Sequence, residues 1–306
     1  PFQFHIVALT YFLFGASDLT SRIPAVLFSI GTVWMVWYWR RYLGKWGALI
    51  AGLLLVISPY MLYYGRYVRN ESFVGFSGIL MLYALLRHLE MGGKKYLYLL
   101  AAALMLHFTT KETSFIYTAQ ALLFLAIYFI AQVTRRPWKD AQNDYRSFII
   151  SLGITFVLAA AAVGYGMYMS DAATFAGNET AIPSDPAAIA PPLLAPETAS
   201  VSPVIVIALA ALIAFIFAAV FLIRGYTWER LRNERSFDLL MVCGTIVLPM
   251  LSPFPLKWSE RWLHVNIPTT APEVQALTTD IKSILTIAGF LLAMFIITII
   301  VGLIWN

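Results

Sequence analysis

Nine uncharged apolar runs dominate this sequence and decide what it can fold into. They fall at Ile23–Trp39, Trp46–Gly65, Ser72–Leu86, Tyr96–Thr110, Thr113–Thr134, Ser147–Met169, Val204–Ile223, Leu239–Leu256 and Ile284–Trp305. A helix needs about 20 apolar residues to cross the hydrocarbon core of a bilayer, where only an internally hydrogen-bonded backbone is tolerated. The runs at 72–86 and 96–110 are shorter, but Tyr, Arg and Lys at their flanks can snorkel to the interface. The pattern predicts an all-α fold, a polytopic transmembrane helix bundle of about nine spans. The first 15 residues are also apolar, and Gly15-Ala16-Ser17-Asp18 breaks them from the next run, which predicts a short N-terminal interfacial helix. Composition agrees: 12% of residues are charged, about half the share usual in soluble domains.

The loops predict an orientation. Alternate loops carry Arg40, Arg41 and Lys45; Arg87, Lys94 and Lys95; Arg135, Arg136, Lys139 and Arg146; and Arg224, Arg230, Arg232 and Arg235, together 14 of the 21 basic residues. The remaining loops hold Arg22, Arg66, Arg69, Lys111, Lys257, Arg261 and Lys282. The positive-inside rule assigns the first set to the cytoplasm. The expectation is a multi-pass protein of the cytoplasmic membrane with a cytoplasmic C-terminus and its chemistry on the extracytoplasmic side. The net charge of +5 is therefore loop bias and not a nucleic-acid footprint. Cys243, the only cysteine, excludes an internal disulfide framework and a CxxC metal site. Pro1-Phe2-Gln3-Phe4 has neither Met nor a basic leader region, and an odd number of spans beginning outside predicts a helix upstream of Pro1. Two longer external loops are expected at 170–203, rich in Ala, Pro and Thr, and at 257–282.

Charges at the outer boundary mark the candidate site. Tyr63-Tyr64-Gly65-Arg66-Tyr67-Val68-Arg69-Asn70-Glu71 follows a Ser58-Pro59 helix break. Arginines at headgroup level suit phosphate, whose oxygens match the guanidinium fork. A carboxylate beside them, Glu71, can orient a hydroxyl or hold a divalent metal. Thr109-Thr110-Lys111-Glu112-Thr113 places two more charges between long apolar runs, where charged groups pair or face a cavity. An ordinary belt of interfacial Tyr and Arg anchors, with a tight charged turn, accounts for the same residues. His107, one turn before Lys111, is a core histidine or a metal ligand. Asn70-Glu71-Ser72 and Asn178-Glu179-Thr180 fit the N-glycosylation sequon, the first lying close to the bilayer.

Three segments in order carry a family resemblance. Pro1-Phe2-Gln3-Phe4-His5, Leu13-Phe14-Gly15 and Ser21-Arg22-Ile23-Pro24-Ala25 resemble the first conserved stretch of GT-C class membrane glycosyltransferases. Ser58-Pro59 through Asn70-Glu71 resembles the "SP…YY-S-R-x-x-R-[ND]-[DE]" stretch of that class, and Thr110-Lys111-Glu112 its "TKE" motif. The resemblance points to the bacterial and archaeal flippase-activity-associated group, with the protein O-mannosyltransferases and the aminoarabinose lipid A transferases more distant. It covers residues 1–135 as a GT-C-like module and leaves 136–306 as further transmembrane helices with the two external loops. It implies a polyprenyl-phosphate sugar as donor, transferred outside the cytoplasm. By the same resemblance Arg66, Arg69 and Lys111 face the donor phosphate and Glu112 supports them. Glu71 corresponds to a second acidic position near phosphate or metal. The catalytic base is expected just before Pro1, and the acceptor is a protein, glycan or lipid. The readings that compete are a non-catalytic membrane subunit keeping the same fold, and a lipid transporter. The transporter is disfavoured by the lack of charge in the middle of most spans.

Overall fold

The computed structural model describes residues 2–138, 141–179, 203–252, 256 and 281–305. Among them the regular structure is helical, without a strand: α1 (Phe2–Phe14), α2 (Asp18–Val36), α3 (Arg40–Ile57), α4 (Pro59–Tyr64), α5 (Glu71–Met91), α6 (Lys94–Thr110), α7 (Ser114–Arg135), α8 (Gln142–Glu179), α9 (Pro203–Tyr226), α10 (Trp228–Arg232), α11 (Arg235–Val247) and α12 (Ile281–Trp305). This is the all-α membrane bundle that the apolar runs predict.

Six helical stretches among the described residues are long and apolar enough to cross a membrane: Asp18–Ile57, Glu71–Met91, Ser114–Arg135, Gln142–Tyr168, Val206–Tyr226 and Ile281–Trp305. The sequence predicts about nine spans, and the difference has local causes. The first two apolar runs share one 40-residue helical stretch. A 3-10 turn at Trp37–Trp39 and a kink at Gly44 (φ 74°, ψ 168°) interrupt it in place of an open loop. Only glycine enters that backbone region without strain. α6 is helical over 17 residues. α11 gives way after 13 residues to a 3-10 turn, Leu248–Leu251, that contains Pro249. Of the two long loops expected, residues 170–179 continue α8, residues 180–202 and 257–280 lie outside the described residues, and α12 begins at Ile281.

The chain divides into two units, Pro1–Gln132 with Arg232–Asn306, and Val133–Leu231. The core of the first joins four helices: Met81, Ala84 and Leu85 of α5, Leu100, Ala103 and Leu104 of α6, Ala121 and Leu125 of α7, and Leu239, Val242 and Cys243 of α11. The alanines let helix backbones approach closely, which matters in lipid because burial of apolar area no longer drives association. Edge-on phenyl contacts tie α1 and α2 to α5, with Phe28 5.8 Å from Phe2 and 4.7 Å from Phe73. In the second unit α8 packs along α9, and Trp138 stacks on Phe148 at 5.5 Å while its Nε1 donates to the Val133 carbonyl at 3.0 Å. Large apolar side chains stay exposed along α8, α9 and α12, among them Phe156, Phe217 and Leu303. For membrane-spanning helices this is a lipid-facing surface.

Candidate active site

The Ser58-Pro59 break sets the site's position. Ser58 ends α3 in an extended conformation (φ −61°, ψ 125°), and Pro59 opens α4 at its first turn. A residue before proline is pushed out of the helical region, and proline itself is favoured at the start of a helix. α4 then runs six residues to Gly65. Here glycine is required by space: a Cβ on Gly65 would lie 2.6 Å from the Met61 carbonyl oxygen and 2.9 Å from Ser29 Oγ. Ser29 Oγ donates to Ser72 Oγ at 3.1 Å, and Ser72 Oγ to the Tyr64 carbonyl at 3.1 Å. Residues 65–70 are thereby tied to both α2 and the start of α5. Tyr63 stacks on Tyr67 at 5.5 Å, and the Arg69 guanidinium lies 5.6 Å over the Tyr64 ring.

Two cations meet on Glu71. Lys111 Nζ donates to Glu71 Oε1 at 2.8 Å, and Arg69 Nε stands 3.5 Å from Oε2. The Glu71 side chain is 11% exposed and that of Lys111 37%. Lys111 reaches it from the turn between α6 and α7, where its extended backbone (φ −152°, ψ 151°) ends α6. That turn is held by Lys111 N–H donating to His107 O at 3.3 Å and by Ser114 Oγ donating to Lys111 O at 2.7 Å. Arg69, Glu71 and Lys111 thus converge from two segments 40 residues apart. Arg66 and Glu112 are exposed, and their side chains make no hydrogen bond or ion pair among the described residues.

One cavity adjoins the ion pair through Lys111, and a second lies along α4 and α5. One, of about 450 Å³, is lined by Asn70, Thr110, Lys111, Glu112 and Thr113 with Phe108, Phe115 and Met250. The other, of about 530 Å³, runs between α2, α3, α5 and α7 and is lined chiefly by Leu, Met, Ile and Phe side chains with Tyr60 and Tyr117. Tyr60 and Met61 of α4 and Val74 of α5, the helix that begins at Glu71, are among its walls. Tyr60, Asn70 and Thr113 lie in the segments that the sequence singles out, but nothing local marked them as cavity walls. Their interest comes from cavities built by residues far apart in the chain.

His107 is 1% exposed, its Nδ1 lies 2.9 Å from Ser77 Oγ, and its ring packs 5.0 Å from Tyr117. No group of three or more His, Cys, Asp or Glu side chains placed to hold a metal occurs among the described residues. Glu71, already engaged by two cations, is a poor donor for a divalent ion.

Residues 1–165 match the model of the dolichyl-phosphate-mannose-protein mannosyltransferase family. The match takes in α1 to α7 and the first part of α8, and Arg66, Arg69, Glu71, Lys111 and Glu112 all lie inside it. No curated protein and no solved structure matches the chain. With more than half of its residues covered and an all-helical membrane fold, the chain belongs to the dolichyl-phosphate-mannose-protein mannosyltransferase family, a GT-C type of membrane glycosyltransferase that uses a polyprenyl-phosphate sugar donor.

Proposed function

We propose that this protein transfers a sugar from a polyprenyl-phosphate donor to a protein hydroxyl on the extracytoplasmic side of the membrane. The observation that carries the reading is the Arg69–Glu71–Lys111 cluster, whose Lys111 lines a cavity, on a helix that also lines an apolar groove. In the transfer, the acceptor hydroxyl gives its proton to a carboxylate base as its oxygen bonds to the anomeric carbon. The bond from that carbon to the phosphate oxygen breaks, and polyprenyl phosphate leaves with the electron pair. Negative charge therefore grows on the phosphate. Fixed cations in a site shielded from water stabilise it, an effect worth about 10²–10³ in rate for a single well-placed donor.

Lys111 and Arg69 supply those cations, and Arg66 adds a third from the same loop. Glu71 holds Lys111 in place before the lipid arrives and keeps two cations from standing unpaired at the edge of a low-dielectric region. The apolar groove takes the first isoprenoid units, so the phosphate never has to leave the membrane boundary.

The test is sugar transfer by the full-length protein reconstituted in liposomes with a polyprenyl-phosphate sugar. Glu71→Gln should lower the transfer rate at least tenfold with little change in protein abundance. Arg66→Ala and Arg69→Ala should each weaken donor binding by about 1.5–3 kcal/mol, the range for hydrogen bonds to charged groups. Wild-type rates and affinities in all three variants would remove the site's support.

A further inference from the structure

We infer that the cavity beneath the α6–α7 turn holds the pyranose ring of the donor, with Asn70, Glu112 and Thr113 reading its hydroxyls; this rests on the lipid-linked donor proposed above. Asn70 Oδ1 and Thr113 Oγ1 are both buried and without a hydrogen-bond partner among the described residues. Buried polar atoms are nearly always paired, so two orphans on one cavity call for a ligand group. Their positions sharpen the point. Asn70 sits at the N-cap of α5 and Thr113 directly precedes α7, places where such side chains ordinarily accept from the first turn of the helix. Asn70 makes no cap hydrogen bond, and Thr113 Oγ1 makes none of any kind. Both lining groups remain available to a ligand.

The remaining walls fit a sugar. The Glu112 carboxylate is free of ion pairs among the described residues and presents two acceptor oxygens, enough for two adjacent hydroxyls. Phe108 and Phe115 meet edge to face at 5.1 Å and give the cavity an apolar side against which the C–H face of a pyranose can lie. The volume of about 450 Å³ is that of a small-molecule site. Lys111 lines this cavity and also bonds Glu71, so a phosphate held at Lys111 delivers the sugar attached to it straight into the pocket. The arrangement runs in order: isoprenoid in the apolar groove, phosphate at Lys111, ring under the turn.

The experiment compares two lipids on the full-length protein in nanodiscs: a polyprenyl-phosphate hexose and the same polyprenyl phosphate without sugar. Thr113→Val removes the hydroxyl and keeps the shape, and Glu112→Gln removes the charge. Each should weaken the glycosylated lipid about tenfold relative to the bare lipid, as expected for one lost hydrogen bond to a polar or charged group, and Thr113→Val should leave the bare lipid unchanged. Retained affinity for the bare lipid shows that the variants are folded. Equal losses for both lipids, or no loss for either, overturn the sugar pocket while leaving the lipid donor standing. A raised KM for the acceptor with unaltered donor binding overturns it too, since the cavity would then serve the acceptor. If the wild-type protein binds neither lipid, the donor reading itself falls and the sugar pocket with it.

Discussion

Helix α5 carries the same device at both ends, a carboxylate between two cations, and uses it in two ways. At its start, Glu71 is bridged by Arg69 from its own segment and by Lys111 from the α6–α7 turn. Toward its end, Glu90 is bridged by Arg87 from its own helix at 3.1 Å and by Arg41 from α3 at 3.0 Å. Around Glu90 several neighbouring contacts join helix to helix. Arg235 of α11 donates to the Leu89 carbonyl at 3.0 Å and to that of Glu90. Buried His88 stands 3.6 Å from Asp238, whose other oxygen accepts from Trp305 Nε1 of α12 at 3.1 Å. Around Glu71, by contrast, Lys111 and the neighbouring Asn70 line an open cavity of about 450 Å³. A charge cluster on a membrane helix is therefore not evidence of a site in itself. What its surroundings leave open separates a staple from a place where a ligand binds.

The comparison can be broken most sharply by topology, where the expected outcome is all or none. A cysteine at Val68 should react with a membrane-impermeant thiol reagent in intact cells, and one at Lys95 should be protected. The reverse pattern would place the Glu71 end in the cytoplasm. Next in size is activity. Lys111→Met should cost about 100-fold or more in transfer rate, whereas Arg41→Ala, at the same position in the other cluster, should change it less than about twofold, because an exposed ion pair contributes only ~0–1 kcal/mol. Comparable losses in both variants would show that the two ends are not functionally distinct.

Smaller effects probe what holds each end. Gly65→Ala forces a Cβ against the Met61 carbonyl and should cost about 1–3 kcal/mol, read as a lower unfolding temperature in detergent together with weaker donor binding. Trp305→Phe removes one hydrogen bond to Asp238 and should cost about 1 kcal/mol, with transfer at the wild-type rate. A loss of transfer in the second variant would mean that the far end communicates with the first.

The sequence carried the membrane class and the all-helical fold because hydropathy is a property of each run alone. It overstated how separate the first two spans are, because the aromatic, basic stretch at Trp37–Lys45 resembles a loop by charge while its backbone keeps helical turns up to Gly44. The pairing of Lys111 with Glu71 depends on two short connections lying at the same end of α5 and α6, which alternation of the spans already makes geometrically natural. Glu112, adjacent to Lys111, turns instead toward a cavity, and motif order carries no information about that choice. Asn70 and Thr113 were harder still: a side chain that fails to cap its helix is identical in sequence to one that does.

α6 has one more effect, which belongs to mechanics. Seventeen residues at 1.5 Å each make a rod of about 25 Å, several Å shorter than a typical hydrocarbon core of about 30 Å. Lysines 94 and 95 anchor one tip of the rod and Lys111 caps the other. Either the lipid annulus thins at this point or the Lys111 tip rides below the headgroup plane, and both responses store elastic energy that grows with the mismatch. With α6 set across a bilayer, a thicker membrane would strain the seam at which Lys111 sits, and a thinner one would relax it.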